Sequence, residues 1–230
     1  MDKKALVQKY PGVVGALCAL HNLGAGLFSH IRGKGNRVEA PRALLKKTRI
    51  HIHGSDNRVI IGDFSRFTGG SIHISGSHNR ITIGEFVTLN GTILHMEGDN
   101  NTITLGSGTK FLGSTELAAL EGTAITVGKD CLFSSDVHFR TGDSRSVLDL
   151  EGKRINPSRD ITLCDHVWVG TRVTVLKGSL VGRDSILGAC SLVSGSFPEG
   201  NQALAGVPAK VVKRDVNWDI RRLPMEETTQ

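Results

Sequence analysis

The sequence predicts an all-β protein, a left-handed parallel β-helix with a short helical N-terminal segment. Two internal repeats predict this fold, one with a period of 22 residues and one with a period of six. The composition agrees, because glycine supplies 28 of the 230 residues whereas aromatic residues make up only 5%. Frequent tight turns and an aliphatic interior are typical of short stacked strands.

The 22-residue repeat occupies the N-terminal half. Three copies begin at Gly54, Gly76 and Gly98, and each continues as an alternation of apolar and polar residues that ends in another glycine. A degenerate copy follows at 122–128, and a partial copy precedes them at 35–38. Such alternation is what a strand with one buried face requires. Each period therefore predicts one coil of stacked strands.

The six-residue repeat begins at residue 163. Aliphatic residues recur at every sixth position, namely Leu163, Val169, Val175, Val181, Leu187 and Val193, and small or β-branched residues recur four positions after them, namely Val167, Val173, Ser179, Ser185 and Ser191. This hexapeptide pattern predicts one strand and one turn on each side of a triangular prism. The 22-residue coils are then the same prism with four extra residues at one corner. A right-handed β-helix also accommodates 22-residue coils, but it does not explain the step of six.

The predicted organisation has three parts. Residues 1–32 form an N-terminal helical cap, residues 33–200 form the β-helix, and residues 201–230 form a C-terminal extension. The apolar stretch 13–28 is too short to span a membrane and lacks the cleavage site of a signal peptide. We expect a helix packed on the body or on a neighbouring subunit, with peripheral membrane contact as the alternative.

Two polar columns follow from the 22-residue period. Their members are Asn57, Asn79 and Asn101, and His51, His73 and His95. The asparagines are expected either to hydrogen-bond along a ladder or to occupy left-handed corners. The histidines should point outward, and no carboxylate recurs beside them to complete a tetrahedral metal site. We therefore expect a surface or subunit-contact column and no metal.

Charge and cysteine usage exclude several classes of function. The formal net charge is +6, which suits acidic or phosphate-bearing small ligands, but the basic residues are too dispersed for binding nucleic acid. The four cysteines are Cys18, Cys131, Cys164 and Cys190, and they form no CxxC pair and no metal-ligand spacing. This pattern indicates reduced thiols and a cytoplasmic protein.

Residues 141–159 interrupt the repeats. This stretch is polar and rich in turn residues, so we predict a loop that projects from the β-helix. Loops carried by a rigid scaffold often bear functional residues.

Three segments resemble the hexapeptide-repeat acyltransferases, particularly bacterial capsular and exopolysaccharide O-acetyltransferases. They are Ser-Ser-Asp-Val-His-Phe-Arg-Thr-Gly-Asp at 134–143, Asp-His-Val-Trp-Val-Gly at 165–170 and Gly-Val-Pro-Ala-Lys at 206–210. The resemblance implies a homotrimer that binds acetyl-CoA as co-substrate in a cleft between neighbouring β-helices. The similarity is clear in the C-terminal third, whereas the N-terminal coils share only the general character of the repeat.

The resemblance also implies roles for individual residues. Trp168 would lie at the acceptor or thioester site, although a rim aromatic that covers a coil edge is the alternative. The positions that match the lining of the CoA arm and its phosphates are Thr171, Ala189, Ser194, Gly195, Lys210 and Lys213. Small side chains let a narrow pantetheine chain approach the backbone, and the positive charges of lysines bind phosphates.

The general base departs from the family pattern. The family uses a His to deprotonate the acceptor hydroxyl, and its position corresponds here to Arg145, which stays protonated near neutral pH. His138, between the inward-facing Val137 and Phe139, is the replacement candidate, or else an ordinary exposed strand histidine. His166 is a weaker candidate, and Asp143 is expected to orient a base or a sugar hydroxyl.

Three functions are compatible with these sequence features. The first is an acetyl-CoA-dependent O-acetyltransferase that modifies a hydroxyl of a bacterial surface polysaccharide or of its sugar precursor. The second is a catalytically lapsed member of the family that acts as a binding or assembly protein. The third is an N-acyltransferase of an amino sugar.

Overall fold

The structure is a computed structural model that describes residues 7, 9–23 and 29–225. Its strands build three sheets that form the sides of a prism, which we name faces A, B and C. Successive strands lie on faces A, B and C in turn. Each strand pairs in parallel with the strand of the same face in the next coil. The all-β class and the parallel β-helix are confirmed.

The strands are short and are grouped here by face. Face A contains β1 (Ser29–Arg32), β4 (Arg49–His53), β7 (Ser71–Ser75), β10 (Thr92–Glu97), β13 (Thr115–Leu120), β16 (Val137–Arg140), β19 (Thr174–Leu176) and β22 (Leu192–Val193). Face B contains β2 (Arg37–Glu39), β5 (Arg58–Ile61), β8 (Arg80–Ile83), β11 (Thr102–Leu105), β14 (Ala124–Val127), β17 (Ile161–Leu163), β20 (Leu180–Val181) and β23 (Ser196–Phe197). Face C contains β3 (Leu44–Lys46), β6 (Arg66–Thr68), β9 (Thr88–Asn90), β12 (Lys110–Phe111), β15 (Leu132–Phe133), β18 (Trp168–Val169), β21 (Ile186–Leu187), β24 (Gln202–Gly206) and β25 (Ala209–Arg214).

The two repeats explain the register between coils. In the 22-residue region Ile50 lies beside Ile72, and His51 lies beside His73. In the hexapeptide region every residue of the aliphatic series beginning at Leu163 is fully buried. Each side chain therefore stacks on its repeat partner, and the interior becomes a column of matched apolar side chains.

The corner between faces A and B takes up the extra residues of the longer coils. From the inward Ile50 to the inward Ile61 the chain needs eleven residues, whereas Val175 to Val181 needs six. The predicted loop 141–159 leaves at the same corner, because it joins β16 on face A to β17 on face B. Every large insertion in the coils thus lies along one edge of the prism.

An asparagine ladder closes this corner, as one of the two predicted alternatives. Asn79 donates from its side chain to the Oδ1 of Asn57 and to the carbonyl of Gly98, both at 3.0 Å, and its own Oδ1 accepts two bonds from Asn101. Asn36 adds a lower rung. The left-handed positions are the preceding residues, such as His78 with φ of 59°. The ladder therefore satisfies buried backbone groups where the chain turns.

The interior contains more aromatic packing than the composition suggests. Phe67, Phe111, Phe133 and Phe139 are fully buried, and the rings of Phe111 and Phe133 stack with centroids 4.3 Å apart. Aliphatic side chains fill the remaining coils. Among the described phenylalanines, these four lie in the core and Phe197 packs against it, which leaves few for the described surface.

The histidine column lies on the outside of face A, as predicted. The rings of His51 and His73 are stacked with centroids 5.1 Å apart, and His30 and His95 extend the column at either end. Within the described residues no group of three or more His, Cys, Asp or Glu side chains is arranged to hold a metal ion.

Helix α1 (Pro11–Asn22) packs against the first coil. Pro11 suits the first turn because it has no N–H to leave unpaired. At the other end the Asn22 side chain donates to the carbonyl of Ala43 at 2.7 Å and accepts from the amide of Leu45 at 2.9 Å. Along the described stretches of the chain, no helix has the length and apolar character that a membrane crossing requires.

The two ends of the β-helix are formed differently. Strand β1 already pairs with β4 within the range predicted for the helical cap, and β24 continues face C within the predicted C-terminal extension. Strand β25 then folds back antiparallel on β24. The three-part division of the chain stays a prediction.

We expect Asn79→Ala to be strongly destabilising. The substitution leaves buried partners in the rungs above and below without hydrogen bonds, and each such group costs about 1–3 kcal/mol. Urea unfolding should show a loss of about 2–5 kcal/mol in the free energy of unfolding. Asn90→Ala, on face C, is the matched control and should change stability by less than about 0.5 kcal/mol. Equal effects of the two substitutions would contradict a stabilising ladder.

Candidate functional site

The predicted site residues lie along two different edges of the prism. His138, Thr171 and Ala189 lie at or beside the corner between faces C and A. Trp168 is the first residue of β18 on face C, and its side chain is exposed. Asp143, Arg145, Ser194 and Gly195 lie at the A–B corner, and Lys210 and Lys213 lie on β25 of face C. One chain therefore brings together only part of the predicted set.

A charged network surrounds His138 on face A. Its Nε2 lies 3.2 Å from Oδ1 of Asp136, and its Nδ1 lies 3.5 Å from Oε2 of Glu116. Arg140 holds the same Glu116 oxygen at 2.7 Å. Both ring nitrogens face a carboxylate, and the contact of Nε2 is the shorter one. A proton on Nε2 leaves the Nδ1 lone pair on the side of Glu116. Asp136 and Glu116 were not predicted from the sequence because nothing in the repeat distinguishes them.

The predicted CoA-lining positions Thr171 and Ala189 stack in successive coils. The amide of Cys190 donates to the carbonyl of Thr171 at 2.8 Å, which sets the two corners one above the other. Space beside them is restricted, since a Cβ on Gly188 would lie 3.1 Å from the Cβ of Ala205. Lys210 pairs with Ala205 across the β24–β25 ladder, and Lys210 is exposed. The edge is thus lined by small residues and ends beside a cation.

The loop 141–159 is folded by its own polar contacts. The Asn156 side chain donates to Oδ2 of Asp143 at 2.7 Å and to the carbonyl of Arg145 at 2.8 Å. Lys177 also donates to Asp143, and these two hydrogen bonds lower the pKa of the Asp143 carboxyl. Arg145 itself is exposed and donates to the carbonyl of Ser144 at 2.6 Å. Asp143 therefore organises the loop that presents Arg145.

Glu121 anchors the loop to the body of the prism. Arg154 binds both of its oxygens, at 2.6 and 3.0 Å, and Ser158 donates to it at 2.6 Å. These hydrogen bonds lower the pKa of Glu121 from 4.5 to about 2. Beside this anchor is a cavity of about 380 Å³ whose lining includes Arg145 and Glu97.

The C-terminal segment after β25 returns to the corner between faces B and C. There the ring of Trp218 stacks on the ring of His166 with centroids 4.2 Å apart, and Trp218 Nε1 donates to the His166 carbonyl at 2.9 Å. Asp184 lies 2.9 Å from Nδ1 of the same histidine. The Trp218 ring is 6.2 Å from that of Trp168. Trp218 was not among the residues predicted from the sequence, although tryptophan is rare in this chain and that rarity could have identified it as a candidate.

Known proteins support the resemblance inferred from the motifs. The chain is 35% identical to a polysialic acid O-acetyltransferase of Escherichia coli O1:K1 / APEC across 41% of this chain and 31% of that protein. It is 30% identical to a polysialic acid O-acetyltransferase of Neisseria meningitidis across 46% of this chain and 50% of that protein. The chain thus spans half or less of the length of these curated relatives. No protein-family model matches the chain.

A solved structure shows the same architecture along nearly the whole chain. The crystallographic structure of the polysialic acid O-acetyltransferase OatWY is 27% identical and superposes with a TM-score of 0.77, covering 87% of this chain and 93% of that chain. The left-handed β-helix is therefore confirmed, and so is the resemblance to hexapeptide-repeat O-acetyltransferases.

We expect Glu121→Gln to loosen the loop. Because the pKa of Glu121 is lower in the folded protein than its ordinary value, its contribution is complete above about pH 4.5 and is lost as the pH falls through about 2. Hydrogen exchange of residues 143–158, followed by mass spectrometry, should be several-fold faster in the variant at pH 5 and 7. The difference from the unsubstituted protein should shrink as the pH approaches 2.

Glu151→Gln is the matched control, because Glu151 lies in the same loop and is exposed. It should leave the exchange of residues 143–158 unchanged. If the two variants exchange alike, Glu121 does not anchor the loop.

Proposed function

We propose that this protein is an acetyl-CoA-dependent O-acetyltransferase that modifies a hydroxyl of a bacterial surface polysaccharide or its sugar precursor. The single observation that carries the proposal is the C–A edge. It presents an imidazole oriented by a carboxylate and a row of small residues that ends at a lysine, and the adjoining face C carries a tryptophan. The similarity to polysialic acid O-acetyltransferases adds support.

The C–A edge suits a long, narrow thioester substrate. The small side chains of Thr171 and Ala189 let the pantetheine arm approach the backbone along the corner, and Ser194 and Gly195 of the A–B corner supply a second small-residue surface. Lys210 and Lys213, both exposed on β25, are placed to bind the phosphates. This order puts the thioester toward the lower coils, which carry His138 and, on face C, Trp168.

Acetyl transfer needs a group that removes the acceptor proton. In this proposal Nδ1 of His138 accepts the hydroxyl proton while Asp136 holds the ring through Nε2. The acceptor oxygen then forms the new ester bond as the carbon–sulfur bond breaks, and the proton passes from His138 to the departing thiolate. Arg145 stays charged and serves to bind the acceptor, not to deprotonate it.

A complete site needs two chains in this proposal. The A–B corner with Asp143 and Arg145 lies opposite face C, which carries Trp168. A homotrimer with repeated head-to-tail contacts brings the C–A edge of one subunit to the A–B corner of the next. We propose this assembly, with a cytoplasmic location.

The N-terminal segment carries a separate proposal of peripheral membrane contact. On the outer side of α1, Val13, Leu17 and Leu20 are exposed although they are apolar. The opposite side, with Gly15 and Cys18, is buried on the first coil. An apolar stripe of this kind suits the interface of a lipid bilayer.

Substitution of His138 tests the proposed chemistry. His138→Ala should lower kcat for acetyl transfer about 10²- to 10⁴-fold, because a general base contributes that much, while the KM for acetyl-CoA changes little. Acetylation of oligosaccharide acceptors, measured by release of free CoA thiol, is the readout. His53→Ala, an exposed histidine on the same face, is the control and should retain full activity.

The remaining candidates are separated by two further variants. If Arg145→His raises activity by orders of magnitude while His138→Ala changes nothing, His138 is not the base. If His166→Ala alone abolishes turnover, the base is His166 instead. Absence of both turnover and acetyl-CoA binding would favour a lapsed binding or assembly protein, and transfer only to amino sugars would favour N-acylation.

Mixed trimers test whether the site is shared between chains. Trp168→Ala and the double variant Asp143→Ala/Arg145→Ala should each be inactive alone. Co-assembled in equal amounts, they should recover about one quarter of the wild-type sites, since random mixing pairs an intact edge with an intact neighbouring loop at that frequency. Initial rates of acetyl transfer by purified mixed trimers provide the measurement, and no recovery would place the whole site within one chain.

A further inference from the structure

A second cavity lies at the corner between faces B and C, away from the edge assigned to acetyl-CoA. Its volume is about 380 Å³, and its lining comes both from the coils and from the segment after β25. The coil residues include Lys110, Asp130 and Leu132, and the returning segment supplies residues 217–220. The C-terminal segment therefore forms one wall of a concave surface on the β-helix.

Trp218 is the fixed apolar element of this cavity. Stacking on His166 and the hydrogen bond to the His166 carbonyl hold its ring in one orientation. The histidine is itself held by Asp184 from the coil above. A rigid indole surface costs little conformational entropy when a ligand packs against it. The apolar C–H faces of pyranose rings are well matched to such a surface.

Polar groups around the ring complete the chemistry of a sugar site. Within the described residues, Lys110 and Asp130 form no ion pair with another side chain, so both remain available for ligand hydroxyls. Asn217 adds an amide at the rim. An aromatic platform with a few donors and acceptors around it is typical of a site that binds a polar but uncharged ring.

We propose that this cavity is a carbohydrate subsite that binds an uncharged pyranose unit of the acceptor glycan. The ring centroids of Trp218 and Trp168 are 6.2 Å apart. Because Trp168 belongs to the proposed acceptor site, the sugar unit bound at Trp218 is the neighbour of the unit that is acetylated. The inference rests on the proposed function and extends it, since it predicts that the acceptor is an oligosaccharide or polymer. His166 and Asp184 act here as positioning residues for Trp218.

The charges in the cavity favour a neutral sugar over an acidic one. Asp130 and Asp219 face a single lysine, Lys110. Asp219 stays ionised because Arg221 binds it at 2.7 Å and lowers the pKa of its carboxyl to about 2. With Arg221 paired to Asp219 and Lys110 beside Asp130, the charges around the cavity balance, so no net positive charge attracts a ligand that carries a carboxylate of its own.

Fluorescence of the full chain tests the subsite without relying on catalysis. The chain has two tryptophans, so Trp168→Phe leaves Trp218 as the only indole. This variant is titrated with the methyl glycosides of galactose, glucose, N-acetylglucosamine and sialic acid. We expect a saturable change in Trp218 emission with at least one neutral glycoside and none with the sialoside at equal concentrations.

Lys110→Met in the same background separates specific binding from a general solvent effect. It should weaken binding of the neutral glycoside about fivefold or more, since it removes a charged donor. Lys46→Met, in the first strand of the same face, is the matched control and should leave binding unchanged. No response to any neutral glycoside, or equal binding of the sialoside, would overturn the proposal.

Kinetics supply the second readout. Trp218→Ala should raise the KM for an oligosaccharide acceptor about tenfold, leaving kcat and the KM for acetyl-CoA unchanged. Leu223→Ser, in the same segment but outside the cavity, controls for loosening of the chain end. An unchanged KM in Trp218→Ala contradicts the subsite. Sugar binding without acetyl transfer to any acceptor instead contradicts the proposed function and leaves the subsite intact.

Discussion

Hydrogen bonding between successive coils is the constraint on which this protein depends. Each strand is only two to six residues long, so no strand is stable alone, and its backbone groups find partners one coil above and one coil below. That pairing works only where every coil places the same positions above one another. At the A–B corner, where the longer coils leave the strand geometry, Asn57, Asn79 and Asn101 replace the missing backbone partners.

This constraint decides where chemistry can be placed. Inward side chains fill the core, and the backbone groups of the strands are hydrogen-bonded to neighbouring coils. Functional side chains must therefore project outward from a face or from a corner. The asparagine ladder ends at Thr123 and Thr141, whose hydroxyl groups are 2.7 Å apart, and the loop leaves directly after Thr141. The insertion therefore begins where the corner has already been closed by other hydrogen bonds. The C–A edge, by contrast, keeps short turns and small residues that suit a narrow ligand.

The C-terminal segment adds a surface that the repeat cannot provide. A β-helix face is flat, and concave sites arise where another segment lies across it. Trp218 converts the B–C corner into a cavity by stacking on His166, and it lies near Trp168 on face C. The two tryptophans thus connect the edge proposed for acetyl transfer with the subsite proposed for the glycan.

The repeats were sufficient to predict the coils, the inward residues and the outward histidine column, because each depends on a period of 22 or six residues. The similarity to O-acetyltransferases came instead from three short motifs. The contacts that assemble the candidate sites were not predictable in this way. Glu121 meets Arg154 across 33 positions and Trp218 meets His166 across 52, and neither spacing follows the repeat. Periodicity determines which residues share a face, whereas only the folded chain decides which side chains from the loop and the C-terminal segment come to lie against it.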